Sequence, residues 1–160
     1  DWEVELGLVI GSVARSVTQD EALSHVAGYT IVNDISERAF QFQCSQWDKG
    51  KGCDTFAPIG PWLVTRDEVA DPQDLRLWLD VNGSRRQDGN TRTMIFGVRE
   101  LIAYVSRYMT LLPGDVIAPG TPPGVGMGIE PEPVWLSAGD VVELGIDGLG
   151  RQRQMVVKAA

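Results

Sequence analysis

The sequence predicts an α+β, mainly β domain, built as a rolled sheet or barrel with two or three short helices. Three observations predict it. Apolar and polar residues alternate in several short runs, the period of a half-buried strand. Helical spacing is confined to a few short segments. No low-complexity segment or linker divides the 160 residues, so they are expected to form one domain, 1–160, around one core.

The elements follow in order. In 2–10, Trp2, Val4, Leu6, Leu8 and Ile10 share one strand face, and Glu3, Glu5, Gly7 and Val9 share the other. Thr18-Gln19-Asp20-Glu21 is a capping box that starts a helix running to Ala27 and stopped by Gly28. Residues 29–34 are rich in strand formers. Ser36 is expected to cap a short helix over 36–42. Residues 44–60 read as loop, and 62–65 as a short strand. Residues 75–81 alternate Leu75, Leu77, Leu79 and Val81 against Arg76, Trp78 and Asp80, and Asn82-Gly83 closes a hairpin after them. Met94, Ile95 and Phe96 are assigned to the core. Over 97–109, Val98, Leu101, Ile102, Val105 and Tyr108 recur at helical spacing. Short strands are expected at 116–118, 134–136, 141–146 and 152–157. The Gly114-Asp115 and Gly139-Asp140 turns both feed strands, which reflects common turn chemistry rather than a repeat.

Composition excludes several function classes. The net charge of −8 disfavours nucleic acid and anionic membrane surfaces as partners. No apolar run reaches the ~18 residues of a membrane span. No signal-peptide pattern opens the chain, so a cytoplasmic setting is expected, with Cys44 and Cys53 as free thiols. The Asn82-Gly83-Ser84 sequon carries little weight in that setting. The chain starts inside a strand pattern at Asp1, without Met. It is therefore expected to be the C-terminal portion of a longer polypeptide, with part of any active site upstream.

Glu3 and Glu5 pose the functional question. On one strand face their Cα atoms lie roughly 6.5–7 Å apart. At an effective dielectric near 20, unit charges about 5 Å apart repel by about 3 kcal/mol. An exposed edge strand with a wet outer face resolves this, and so does a hard cation such as Mg²⁺, Mn²⁺ or Ca²⁺. Asp34, at the end of the 29–34 run, is the candidate third carboxylate.

Five motifs in order resemble the fumarylacetoacetate hydrolase superfamily over essentially the whole chain. They are Glu3-Val4-Glu5 followed by Val9-Ile10-Gly11; Asn33-Asp34-Ile35-Ser36-Glu37-Arg38 with Gln41; Lys51 to Trp62; Asn82-Gly83 with Arg86-Gln87 and Asn90-Thr91; and Pro113-Gly114-Asp115 with Gly120 to Gly126. The resemblance implies a rolled mixed sheet or barrel. It implies that Glu3, Glu5 and Asp34 ligate Mg²⁺ or Mn²⁺, and that Arg38, Gln41, Lys51 and Thr121 face the substrate, Lys51 as the catalytic cation. Family substrates are small keto acids whose adjacent oxygens chelate the metal, which then stabilises an enolate leaving group. Homodimers are usual in the family.

Each assignment has a structural rival. Arg38 can instead pair with Glu37 or Asp34, and Lys51 can be one solvated charge beside Asp48 and Lys49. Asp54 is expected to shape its loop. Gly120 to Gly128 is no phosphate loop, because it lacks the Lys-Ser/Thr ending. His25 is expected at the surface or in packing. The water-activating His and Glu pair of family hydrolases has no match here and is expected before Asp1. Residues 46–65, with Gly120 to Gly128 and Leu144 to Gly150, look most like bacterial hydrolases of 2,4-diketo-3-deoxy-L-rhamnonate or L-fuconate, which yield pyruvate and lactate. Decarboxylases, isomerases and a non-catalytic metal-binding module remain the alternatives.

Overall fold

The computed structural model describes residues 1–158. Alternating apolar residues in separate strands must bury their faces against one another, and they do so as two four-stranded sheets. The first sheet runs in the order β3-β2-β1-β6: β1 (Val4–Ile10), β2 (Val26–Asn33), β3 (Ile59–Thr65) and β6 (Val116–Ile117). The second runs β5-β4-β7-β8: β4 (Arg76–Val81), β5 (Ser84–Asn90), β7 (Val141–Ile146) and β8 (Gly150–Met155). Every pairing among the described strands is antiparallel. The mainly β, α+β class therefore holds, with two antiparallel sheets in place of one mixed sheet.

The core lies between the sheets. Trp2 enters it from just before β1, Val4, Leu6, Leu8 and Ile10 from β1, Tyr29 and Ile31 from β2, and Leu77, Leu79, Val142, Leu144 and Ile146 from the second sheet. Among the described residues, four short helices are α1 (Gln19–Ala22), α2 (Arg38–Gln41), α3 (Asp48–Lys51) and α4 (Val98–Ser106). Helix α4 turns Val98 and Ile102 inward as expected, together with Ala103, and half-buries Leu101 and Val105; Tyr108, expected on the same face, lies beyond the helix and is 71% exposed.

Several expectations are corrected. The Thr18–Glu21 capping box is present, but the helix ends at Ala22 and passes through a 3-10 turn into β2 at Val26. Gly28 is thus a strand residue, not a helix stop. It faces β3 so closely that an added Cβ would collide with the Val64 carbonyl. Gly28→Ala is expected to cost about 1–3 kcal/mol of stability by prying β2 from β3, read as a lower urea midpoint. The cap of α2 is Glu37, whose carboxylate accepts from Ala39 N (3.0 Å), while Ser36 donates to the Asp34 carbonyl. Helix α3 stands inside the expected loop, β3 starts at Ile59, and residues 134–136 form no strand. Met94 packs on the core, but Ile95 (91%) and Phe96 (55%) are exposed. They sit on the short link between a 3-10 turn (Thr91–Thr93) and α4, where adjacent side chains cannot all point inward. Cys44 and Cys53 are free thiols, and no helix among the described residues is long and apolar enough to cross a membrane.

Candidate metal centre

Strand parity already puts Glu3 and Glu5 on the face of β1 turned away from the core. That face is not wet. β1 lies inside its sheet, and Glu3 and Glu5 are 8% and 2% exposed, so the exposed-edge explanation fails. The register Val4↔Asn33 brings the residue after β2 alongside, where Asp34 N donates to the Glu3 carbonyl (2.9 Å). Glu3, Glu5 and Asp34 each then offer a carboxylate oxygen within 4.8 Å of the other two.

Cations reach this cluster from α2 and α3. The two helices touch because Gly50 has no side chain; a Cβ there would strike Gln41 and the Glu37 carbonyl. This contact carries Lys51 inward, where Nζ lies 2.9 Å from Glu3 Oε2 and 2.5 Å from Asp34 Oδ2. Arg38 spreads its donors over Asp1 Oδ2 (Nε, 2.9 Å), Gln41 Oε1 (Nη1, 2.8 Å) and Glu3 Oε1 (Nη2, 2.5 Å). The result is an alternating chain of charge: Asp1, Arg38, Glu3, Lys51, Asp34. Arg38 pairs with Asp1 and Glu3, not with the Glu37 or Asp34 expected as rivals, because its buried guanidinium points back along β1.

Asp1 escaped the sequence reading. Its buried carboxylate also accepts from Gly126 N (2.7 Å) and Met127 N (3.1 Å), tying the 124–128 turn to Arg38. Its position two residues before Glu3, on the same strand face, was the available signal. Gln41, 3% exposed, holds Arg38. The Thr121 hydroxyl donates to the Val4 carbonyl (2.9 Å), and the neighbouring Gly120 N donates to Glu5 Oε2 (2.8 Å). Five of the seven residues, Glu3, Glu5, Asp34, Lys51 and Arg38, thus converge directly, with Gln41 behind Arg38 and Thr121 beside Glu5. His25 is hydrogen-bonded to Ser12 beyond the Ile10 end of β1, about 20 Å from the cluster at ~3.3 Å per strand residue.

The donor set suits a hard divalent cation. It consists of oxygens only, and four carboxylates (Asp1, Glu3, Glu5, Asp34) face two cations (Arg38, Lys51), an excess of two negative charges when all are ionised. Burial pushes the Glu5 carboxyl up to about 8, helped by Asp34 and Glu3 and opposed by the Gly120 hydrogen bond. Without metal, folded Glu5 therefore keeps a proton that the unfolded chain has lost. Its contribution to stability is full below about pH 4.5 and is lost as pH rises towards 8. Scanning calorimetry of chelator-treated protein from pH 5 to 8.5 should give a falling melting temperature, and saturating Mg²⁺ should flatten the decline.

The profile of the family described as fumarylacetoacetate (FAA) hydrolase C-terminal matches residues 1–157. The chain belongs to the fumarylacetoacetate hydrolase family. A fumarylacetoacetate hydrolase from psychrophilic Exiguobacterium antarcticum superposes with a TM-score of 0.95 at 44% identity, covering 99% of this chain and 56% of that one. A 5-carboxymethyl-2-hydroxymuconate delta-isomerase from Mycobacterium smegmatis gives 0.89 at 41% identity, covering 99% and 59%. A Burkholderia multivorans protein with a provisional hydrolase name is 66% identical over 156 residues, 97% of this chain and 55% of the relative. The chain thus spans about half the length of the curated relatives it matches.

Proposed function

We propose that this fumarylacetoacetate hydrolase domain forms the metal centre of an Mg²⁺- or Mn²⁺-dependent hydrolase that cleaves a C–C bond in a 2,4-diketo acid, giving pyruvate and a second acid. The observation that carries the reading is the convergence of Glu3, Glu5 and Asp34, ligand oxygens within 4.8 Å, beside Lys51. When bound, the divalent cation supplies Lewis acidity that stabilises negative charge on neighbouring keto-acid oxygens.

The chain's own residues do the rest. Glu3, Glu5 and Asp34 hold the cation. Arg38, fixed by Asp1 and Gln41, orients the Glu3 carboxylate. The Lys51 ammonium, 21% exposed, offers positive charge to a substrate carboxylate or developing oxyanion. Thr121 stands on the opposite wall of the site, its hydroxyl donating to the Val4 carbonyl. In the overall reaction water adds to the acyl carbonyl, the bond to the pyruvyl carbon breaks, and that carbon takes up a proton. A 2,4-diketo-3-deoxy-sugar acid is the substrate favoured by the motif resemblance. A homodimer belongs to this reading: edge strand β3 leaves Ile59, Trp62 and Leu63 at 54%, 59% and 45% exposure, an apolar strip suited to a second copy.

The test is incubation of the full-length protein with acetylpyruvate, oxaloacetate and a 2,4-diketo-3-deoxy-sugar acid, with Mg²⁺ or EDTA. Metal-dependent release of pyruvate and a second acid is the expected result. CO₂ release would assign a decarboxylase. An unchanged mass with a shifted spectrum, on 2-hydroxyhepta-2,4-diene-1,7-dioate or 5-carboxymethyl-2-hydroxymuconate, would assign an isomerase, the second reading, which 43% and 41% identity to isomerases named for these two compounds favours. Metal binding with no turnover on any of them would leave a non-catalytic module.

A further inference from the structure

We infer that Gln87, on β5 of the opposite sheet, is a positioning residue for the metal centre, acting through the Val4 peptide and the 120–122 turn. The inference rests on the proposed metal site. Gln87 is 0% exposed in the middle of the core, a costly place for a carboxamide unless every polar atom is used. Its Oε1 accepts from Val4 N (3.0 Å), and its Nε2 donates to the Pro122 carbonyl (2.7 Å) and to Thr121 Oγ1 (2.8 Å).

These partners fix every hydrogen. Val4 N can only donate and the Pro122 carbonyl can only accept, so the amide has one possible orientation. Thr121 Oγ1 accepts from Gln87 and therefore turns its own hydrogen to the Val4 carbonyl, 2.9 Å away. The Thr121 hydroxyl hydrogen is thus already committed, which leaves that side chain a lone pair and no donor for a ligand.

The location gives the arrangement its purpose. Val4 separates Glu3 from Glu5, and its N–H and C=O point away from β2. On that side β6 pairs only with Leu8 and Val9. Gln87 and Thr121 replace the missing strand beside Val4, holding the two peptide groups on either side of it, whose rotation would swing Glu3 and Glu5 apart. The same clasp seats Gly120, whose N–H binds Glu5 Oε2. Partners that orient ligand residues are typically worth 10–100-fold in metal affinity.

The measurement is the Mn²⁺ dissociation constant, with kcat and KM at saturating Mn²⁺, on the full-length protein. Gln87→Met fills the same space without hydrogen bonds. We expect its Mn²⁺ dissociation constant to rise about 10–100-fold and kcat to fall more than KM changes. Thr121→Val should weaken Mn²⁺ binding in the same direction, and Thr121→Ser, which keeps the bridging hydroxyl, should restore it. Leu144→Ala, a cavity in β7 two strands over from Gln87 in the same sheet, should lower stability and leave Mn²⁺ affinity alone. A folded Gln87→Met with wild-type Mn²⁺ affinity overturns the inference, as does an equal loss in Leu144→Ala. Where Gln87→Met does not fold, Gln87→Glu, which keeps the acceptor and loses both donors when ionised, is read by the same criteria. Glu5→Gln separates the two levels: if it still binds Mn²⁺ the metal site itself is wrong, whereas its failure to bind, beside normal binding by Gln87→Met, removes only the role of Gln87.

Discussion

Glu5→Gln is expected to abolish divalent-metal binding and cut turnover by at least about 100-fold, while making the metal-free protein more stable at pH 8. The two effects have opposite signs for one reason. Glu5 is 2% exposed, and burial raises its pKa to about 8, so ionising it in the folded state costs free energy that only a cation can offset. Glutamine keeps the shape and still accepts from Gly120 N, but it never carries that charge. At about 1.36 kcal/mol per tenfold in rate, losing the several kcal/mol a metal supplies corresponds to roughly 10²–10³ in turnover. Calorimetry with and without Mn²⁺, paired with a pyruvate assay, reads both. A mutant that loses activity yet melts lower at pH 8 would mean Glu5 is ionised and paired in the resting protein.

Arg38→Met is expected to be the most damaging single change to stability, about 3–5 kcal/mol, because it strands buried carboxylates on Asp1 and Glu3. It also cuts the link that runs from Arg38 through Asp1 to the 124–128 turn and leaves Gln41 without its partner. Arg38→Lys should recover only part, since an ammonium cannot fork across three acceptors as a guanidinium does. Millimolar Mg²⁺ should partly rescue Arg38→Met by neutralising Glu3. Urea titrations with and without Mg²⁺ give the answer. A loss below ~1 kcal/mol, the worth of an exposed pair, would show that water reaches these carboxylates.

What the sequence made legible was local. The parity of β1, the capping box at Thr18, the Asn82-Gly83 hairpin and the inward turn of Val98 and Ile102 on α4 depend on residues a few positions apart, and each is present. The two glutamates and Asp34 were found because strand geometry and a motif in fixed order both pointed at them. The contacts that hold the centre together were hidden, since Arg38 finds Asp1 across 37 positions and Gln87 finds Val4 across 83. Helix α3 was missed because Gly50 and Gly52 argue against a helix, although Gly50 is what lets α3 approach α2. Apolar character misled at Ile95 and Phe96, where hydrophobicity gave no direction.

Lys51 carries one more consequence. Its ammonium already stands between Glu3 and Asp34, so the cluster has a resident counterion of its own. Stripping the protein with EDTA should therefore be a pause, not an injury: after desalting, adding Mg²⁺ should bring the rate back within the mixing time, with no lag for refolding. Lys51→Met should make the same treatment slow to reverse, because the emptied carboxylates would then drive that corner of the molecule open.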